Sequence, residues 1–294
     1  MAQRSQSHPD NAPGAFFVDR SCIDCGTCYE YLPQVFQAAA GHSRVSRQPL
    51  GPSDQHRARM ALLACPTGSI GCSGAGAMAA ELDRARRGFP DPIEEEVAFC
   101  GFTSEKSYGA WSYFIQRAAG NVLVDSPRAA APLLRRLEDL GGVGLMVLSH
   151  RDDVADHARF HERFQCPRVL HRADLEPATA QVEQLPEGDG PVQLAPDLLF
   201  IPTPGHTAGS ACLLYRNKFL FTGDHLWWDP RHGGLSASRR YCWHDWAAQL
   251  ESLERLRAFD FTWVLPGHGH SHRAGSPAAM RTDLARAIAR LKRA

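Results

Sequence analysis

Between residues 97 and 291 short apolar runs alternate with stretches of helical spacing, which predicts strands interleaved with helices. Val97 to Phe102, Tyr113 to Arg117 and Val122 to Asp125 read as strands, with Gly120-Asn121 as the turn before the third. Leu198 to Ile201, Ser210 to Tyr215 and Lys218 to Phe221 read the same way, the last two joined at Arg216-Asn217. Gly144 to Leu148 is an apolar run that predicts a buried strand. Leu133, Leu134, Leu137 and Leu140 mark one face of a helix from Pro127 to Leu140. Further helices are predicted over Asp153 to Phe164, Asp245 to Ala258 and Pro277 to Leu291. Strands mixed with helices predict a sheet core.

The start of the chain differs. Residues before about position 90 hold five of the nine cysteines: Cys22, Cys25, Cys28, Cys65 and Cys72. From Gly74 small residues give way to a break at Phe89-Pro90-Asp91-Pro92, which predicts a linker from Gly74 to Glu96. The polar opening predicts a disordered tail over residues 1–14. The expected organisation is that tail, a cysteine-bearing domain with its linker over 15–90, and a larger domain over 91–294.

Composition narrows the function classes. With 44% hydrophobic and 22% charged residues in 294, the chain can bury a sizeable core. Thirty-two basic residues balance 32 acidic ones, so the basic excess of a nucleic-acid binder is absent. No run approaches the ~20 apolar residues of a membrane helix, and the polar N-terminus is unlike a secretory signal. A small-molecule substrate is therefore expected, with neither nucleic acid nor membrane as partner. The cysteines then point to a reducing compartment, the cytoplasm.

Four of the cysteines have metal-site spacing. Cys22, Cys25 and Cys28 form C-x2-C-x2-C, and a distant Cys65-Pro66 follows, the bacterial [4Fe-4S] ligand pattern. A zinc site or a structural cysteine cluster is the rival reading. Residues 16–73, with CYEYLPQVF and ACPTGSI, resemble single-cluster bacterial ferredoxins. The resemblance implies one [4Fe-4S] cluster held by Cys22, Cys25, Cys28 and Cys65. Cys72 is left as a small buried apolar residue.

Histidines and aspartates recur at the ends of the predicted strands, in SHRDDVADH at 149–157, PTPGHTAGS at 202–210, FTGDH at 221–225 and LPGHGH at 265–270. Imidazoles and ionised carboxylates are what a metal pair needs, and one carboxylate can bridge two cations. Over residues 97–272 these motifs resemble the metallo-β-lactamase superfamily. The resemblance implies an αββα sandwich, so the whole chain is expected to be α+β, a small ferredoxin-like domain followed by that sandwich. It also implies that His206 binds a first metal, Asp224 bridges and His268 binds a second.

The first motif departs from the superfamily's H-x-H-x-D-H. His150 is present, Asp152 stands where the second histidine belongs, and Asp156-His157 arrives two residues late. His150, Asp152 and His157 are taken as ligands, with Asp156 as a further ligand or as the catalytic group that orients an attacking hydroxide. Three alternatives stay open. Asp153 caps the following helix, or it shares a helix face with His157 at i, i+4, or Asp153 and Asp156 are both solvated charges at a helix start.

The extra carboxylate moves the expected metal from zinc toward iron or manganese. It also resembles, in part, the H-x-E-x-D-H of flavodiiron proteins. One or two divalent ions (Zn, Fe or Mn) are expected as cofactors beside the cluster. The expected function is a metal-dependent hydrolase whose metal-bound hydroxide attacks an ester, thioester or related bond. The alternative is an iron-dependent oxidoreductase, di-iron or mononuclear, fed by the ferredoxin domain, with an electron-transfer protein as a further partner.

Overall fold

The structure is a computed structural model that describes residues 2–73 and 78–293. The first residues of the expected linker, 74–77, lie outside the described residues. The chain divides into two compact units, one of Met1–Gly144 with Ala155–Cys166, the other of Leu145–Val154 with Pro167–Ala294.

In the first unit, β1 (Phe16–Val18) pairs antiparallel with β4 (Ile70–Cys72). Between them lie α1 (Thr27–Tyr31), the hairpin of β2 (Phe36–Ala38) and β3 (Ser43–Val45), and α2 (Gly51–Ala64). After α3 (Met78–Arg87), an antiparallel meander follows: β5 (Asp91–Glu94), β6 (Val97–Phe99), β7 (Tyr113–Ile115) and β8 (Val122–Val124). The unit is completed by α4 (Ala131–Asp139) and α5 (His157–Phe164).

The cysteine-bearing segment and this meander share one core. Phe89 stands edge-on to Phe99 and Phe102, with ring centroids 6.0 and 5.4 Å away. Tyr31 of α1 packs 5.8 Å from Phe99, and its hydroxyl donates to Asp91 Oδ2 at 2.8 Å. Such aromatic pairs contribute about 0.5–1.5 kcal/mol beyond their area burial. Thr103 adds two bonds to the carbonyl of Ala64, one from its amide at 3.1 Å and one from its hydroxyl at 2.7 Å.

Residues 2–14, expected to be a disordered tail, are instead held in place. Asn11 is the reason. Its side-chain amide donates to the carbonyls of His8 and Val18 at 2.8 Å each, and its Oδ1 accepts from the amides of Val18 and Val45 at 3.0 Å each. One polar side chain thus joins the leading segment to β1 and β3, an arrangement that leaves no periodic trace in the sequence.

In the second unit, β9 (Leu145–Val147) pairs parallel with β10 (Arg168–Val169). The main sheet has six strands, beginning with the antiparallel run β11 (Val192–Ala195), β12 (Leu198–Pro202), β13 (Ala211–Tyr215) and β14 (Phe219–Gly223). A small hairpin, β15 (Trp227–Asp229) and β16 (Gly234–Ser236), precedes α6 (Trp246–Leu256). The sheet then closes with β17 (Trp263–Pro266), parallel to β14, and β18 (His272–Arg273). The last helix, α7 (Pro277–Leu291), packs with α6 over the sheet, where Leu253, Leu256, Leu284 and Ile288 join Ile201, Leu214, Leu220 and Val264 in one buried cluster.

Both helices begin where sequence rules place them. Asp245 Oδ1 accepts from the amide of Ala248 at 2.7 Å, Ser276 Oγ accepts from that of Ala279 at 3.2 Å, and Pro277 takes the first turn.

The helix expected over Asp153 to Phe164 is shorter. A single tight turn occupies Arg151–Asp153, Ala155 adopts a left-handed φ of 28°, and α5 starts only at His157. Asp153 and His157 therefore do not share a helix face, which removes the i, i+4 alternative.

Candidate metal centres

The cysteine centre is built from one loop and one helix end. Cys22 and Cys25 lie on the loop into α1, Cys28 stands in its first turn, and Cys65 follows α2 directly. Backbone amides aim at the sulfurs: Ser43 donates to Cys22 Sγ and Ser69 to Cys65 Sγ, both at 3.3 Å. Burial pushes the Cys25 thiol up to about 12, and the neighbouring Cys65 and Cys22 add to that push. Cys28 is pushed well above the usual thiol range, again by burial and then by its fellow cysteines. Cys25 and Cys28 stay ionised in such a pocket only against a cation, and amide donors aimed at the sulfurs of Cys22 and Cys65 suit a cluster of net negative charge. The residues fit an iron–sulfur cluster.

One wall of this pocket is backbone. The Gly109 carbonyl accepts from Thr27 Oγ1 at 2.9 Å. A Cβ on Gly109, whose φ is +86°, would lie 2.8 Å from Cys25 Sγ. No side chain fits there.

The second centre lies within the second unit. His150 and the Arg151–Asp153 turn follow β9, His206 follows β12, Asp224 follows β14 and His268 follows β17. All are loops at strand ends, where a rigid sheet fixes the approach of separate chain segments. Asp224 Oδ2 sits in the middle, 4.0 Å from His150 Nε2 and 3.9 Å from the Nε2 atoms of His206 and His268. His206 Nε2 is 3.4 Å from Asp152 Oδ2. Two overlapping groups could hold a metal ion: His150, Asp152 and His206, and His150, Asp153 and Asp224.

The ring orientations are set from behind. His206 Nδ1 donates to the carbonyl of Tyr241 at 2.5 Å, which leaves the lone pair of Nε2 facing inward. Ser149 Oγ lies 2.9 Å from His150 Nδ1. His150 Nε2, His206 Nε2 and Asp224 Oδ1 are buried and meet no hydrogen-bond partner among the described residues. Buried polar atoms are rarely left so, and a metal ion would satisfy all three. Gly267 provides room, since a Cβ there would stand 2.7 Å from Asp153 Oδ2 and 3.0 Å from Asp224 Oδ1.

Electrostatics agree with a ligand set. Burial holds His150 below the ordinary imidazole range although Asp224 pulls it up, so it is neutral near pH 7. Burial opposes charge on His206, yet Asp152 and Asp224 outweigh it and raise this imidazole. Asp152 is held low, first by His206.

One residue escaped the sequence reading and another was left open by it. Asp153, for which the sequence did not decide between ligand, cap and solvated charge, is 2% exposed and belongs to a metal-capable group. Asp174, fully buried, ties the Arg151 turn to the His206 loop. Its carboxylate accepts from the Arg151 amide at 3.0 Å, the Thr207 hydroxyl at 2.6 Å and the Gly209 amide at 2.7 Å. Asp153 carried a faint signal as the second of two adjacent acids, whereas Asp174 carried none.

Two proposed site residues are placed otherwise. Asp156, expected as the catalytic group, belongs to the first unit and has both oxygens engaged, with Lys106 Nζ at 2.7 Å and the Ala129 amide at 2.9 Å. Burial would push this carboxyl above the usual carboxylate range, but those two donors hold it below. His157 is buried at the start of α5, also in the first unit, and no metal-capable group among the described residues includes it. The displaced helix start accounts for both. His225 is also buried, neither of its ring nitrogens is hydrogen-bonded among the described residues, and burial lowers it to about 3.

Comparison with known proteins meets this geometry. Residues 18–72 match the 4Fe-4S single cluster domain of Ferredoxin I, and residues 108–268 match the metallo-beta-lactamase superfamily. The chain belongs to the metallo-beta-lactamase superfamily. The two matches stand in the expected order, and the α+β class is that of the superfamily's fold.

Solved structures similar to this superfamily member include the BLEG-1 B3 metallo-beta-lactamase, 18% identical, covering 60% of this chain and 93% of that one at a TM-score of 0.49. ETHE1 from Myxococcus xanthus is 21% identical over 65% of this chain and 84% of its own, at 0.47. TTHA1623 in a di-iron-bound form is 20% identical over 66% and 98%, at 0.45. No curated protein matches the chain significantly. No helix among the described residues is long and apolar enough to cross a membrane.

Proposed function

We propose that this superfamily member is an iron-dependent oxidoreductase whose His–Asp centre is supplied with electrons through the ferredoxin domain. The observation that carries the reading is Asp153. Its inclusion gives the centre three carboxylates, Asp152, Asp153 and Asp224, beside the imidazoles of His150, His206 and His268. Oxygen donors shift preference toward iron and manganese, and two histidines with one carboxylate, the set of His150, His206 and Asp152, suit non-haem iron. Iron bound there would supply one-electron chemistry to a small-molecule substrate.

The chain's own residues prepare the centre. Tyr241 and Ser149 orient the two buried imidazoles, Asp174 holds the Arg151 turn against the His206 loop, and Asp224 faces all three histidines. An electron-transfer protein would serve as the cluster's donor. Four of the nine cysteines would serve as cluster ligands, and a reducing cytoplasm is the compartment that suits them.

The test is iron, zinc, manganese and acid-labile sulfide per chain in protein purified without oxygen. About four sulfides with five or six irons are expected, since a [4Fe-4S] cluster accounts for four of each. Four irons with one or two zincs would overturn the reading in favour of hydrolysis of an ester or thioester with the same ligands.

A further inference from the structure

The loop between β16 and α6 carries two exposed aromatic side chains beside a metal-capable histidine. Among the described residues four large apolar side chains stand more than half exposed, and two of them are Tyr241, at 53%, and Trp243, at 57%. Exposed aromatics grouped in this way mark a contact surface. The Trp243 ring centroid lies 6.2 Å from that of His206, and the Tyr241 ring stands edge-on to Trp243 at 6.1 Å.

The loop is held without those rings. The Tyr241 carbonyl accepts from His206 Nδ1 at 2.5 Å, and the Trp243 and His244 amides donate to the His206 carbonyl at 2.8 and 3.2 Å. The Asp245 amide and the Cys242 thiol both donate to the Gly205 carbonyl, at 3.1 and 3.0 Å. Gly205 is itself pressed onto α6, where a Cβ would lie 2.3 Å from that of Gln249. Main chain and Cys242 thus fix the loop, and the two rings are left over. Aromatic side chains held in place beforehand lose little freedom on meeting a ligand.

The charge beside the rings is positive. Arg240 is exposed, its guanidinium carbon stands 5.7 Å over the Tyr241 ring, and it meets no carboxylate among the described residues. Asp245, the next acid along the chain, is occupied as the cap of α6. The metal-capable groups meet solvent at the same place. The side chain of Asp152, 3.4 Å from His206 Nε2, is 42% exposed.

We propose that Tyr241, Trp243 and Arg240 form a binding shelf at the rim of the His–Asp centre, for a small molecule with a planar aromatic body and a carboxylate. The body stacks on Trp243, and the carboxylate pairs with the Arg240 guanidinium. Asp152, Asp153 and Asp224 already crowd the centre with negative charge, so the anionic end is drawn to the rim and the rest of the molecule is turned toward the histidines. This rests on the preceding reading only in taking the His–Asp centre as the place of reaction. It does not require the metal to be iron.

The experiment titrates 2-naphthoate into the full chain with its cluster and metal loaded, with 2-naphthamide as the neutral control. Saturable binding of the carboxylate is expected, about fivefold tighter than that of the amide. Trp243→Ala should weaken it about tenfold. Arg240→Gln should weaken it and abolish the preference over the amide. Both side chains are exposed, so metal and sulfide per chain should match the parent in both variants. No saturable binding in the parent would overturn the proposal, as would equal affinity in the parent and both variants. Binding that survives both variants but disappears in Asp224→Ala would also overturn it, because the carboxylate would then sit on the metal. Zinc in place of iron, together with naphthoate binding weakened in Trp243→Ala, would overturn the iron reading and support this one.

Discussion

The cysteine pocket and the His–Asp centre solve the same problem by opposite means. The pocket takes three of its four ligands from seven consecutive residues, and backbone amides aim at their sulfurs. The His–Asp centre takes its ligands from four strand ends, and side chains or carbonyls behind them fix the orientation. A local loop writes its chemistry as spacing. A centre assembled by topology writes it as scattered motifs, and the residues that position its ligands need no motif at all.

Substitutions can separate the two designs. The largest effect is expected from Cys28→Ala, which should take acid-labile sulfide from about four per chain to near zero while the other metal stays. Loss of both metals together would mean the centres do not assemble independently. Asp224→Ala should do the reverse, removing the non-cluster metal and sparing the sulfide, as elemental analysis would show.

Asp153→Asn and Asp174→Asn probe a ligand against its support. Both should weaken metal binding, Asp174→Asn by about 10–100-fold, the range for groups that orient ligands. Asp156→Asn should leave metal content unchanged. It should lower stability by about 1–3 kcal/mol in urea unfolding, because the buried Ala129 amide loses its charged acceptor. Metal loss in Asp156→Asn would return that residue to the centre.

The smallest effect lies away from both centres. The nearly buried guanidinium of Arg168 bonds Glu183 at 2.6 and 3.1 Å. Burial would raise this carboxyl, but Arg168 brings it down to about 2. A folded-state value below the unfolded one gives stability that is complete above the ordinary glutamate range and lost as pH falls toward about 2. Glu183→Gln should cost about 1–2 kcal/mol at pH 7, the carboxylate being partly exposed, and should flatten the acid limb of a stability-against-pH curve.

Much of the fold was legible. The strands around Gly120 and Asn217 and the last two helices stand close to their expected places, because alternation, turn residues and caps are local signals. His150, Asp152, His206, Asp224 and His268 were legible as motif residues, and the structure brings them together. The segment from Arg151 to His157 was not. Whether it forms one helix or a turn followed by a helix depends on the left-handed Ala155, and alanine gives no warning of that conformation. The ordered N-terminal segment was hidden for a related reason, since it depends on one asparagine reaching two strands distant in sequence.

Gly109 bears on how this gene can change. It lies inside the stretch matched to the metallo-beta-lactamase superfamily, yet it walls the cysteine pocket, which is matched to ferredoxin. The point where the two ancestries join is therefore not a point where they can be recombined. Exchanging the ferredoxin segment for another would succeed only if the incoming loop met a bare backbone at position 109. Position 109 thus answers to the cysteine pocket as well as to the stretch in which it lies.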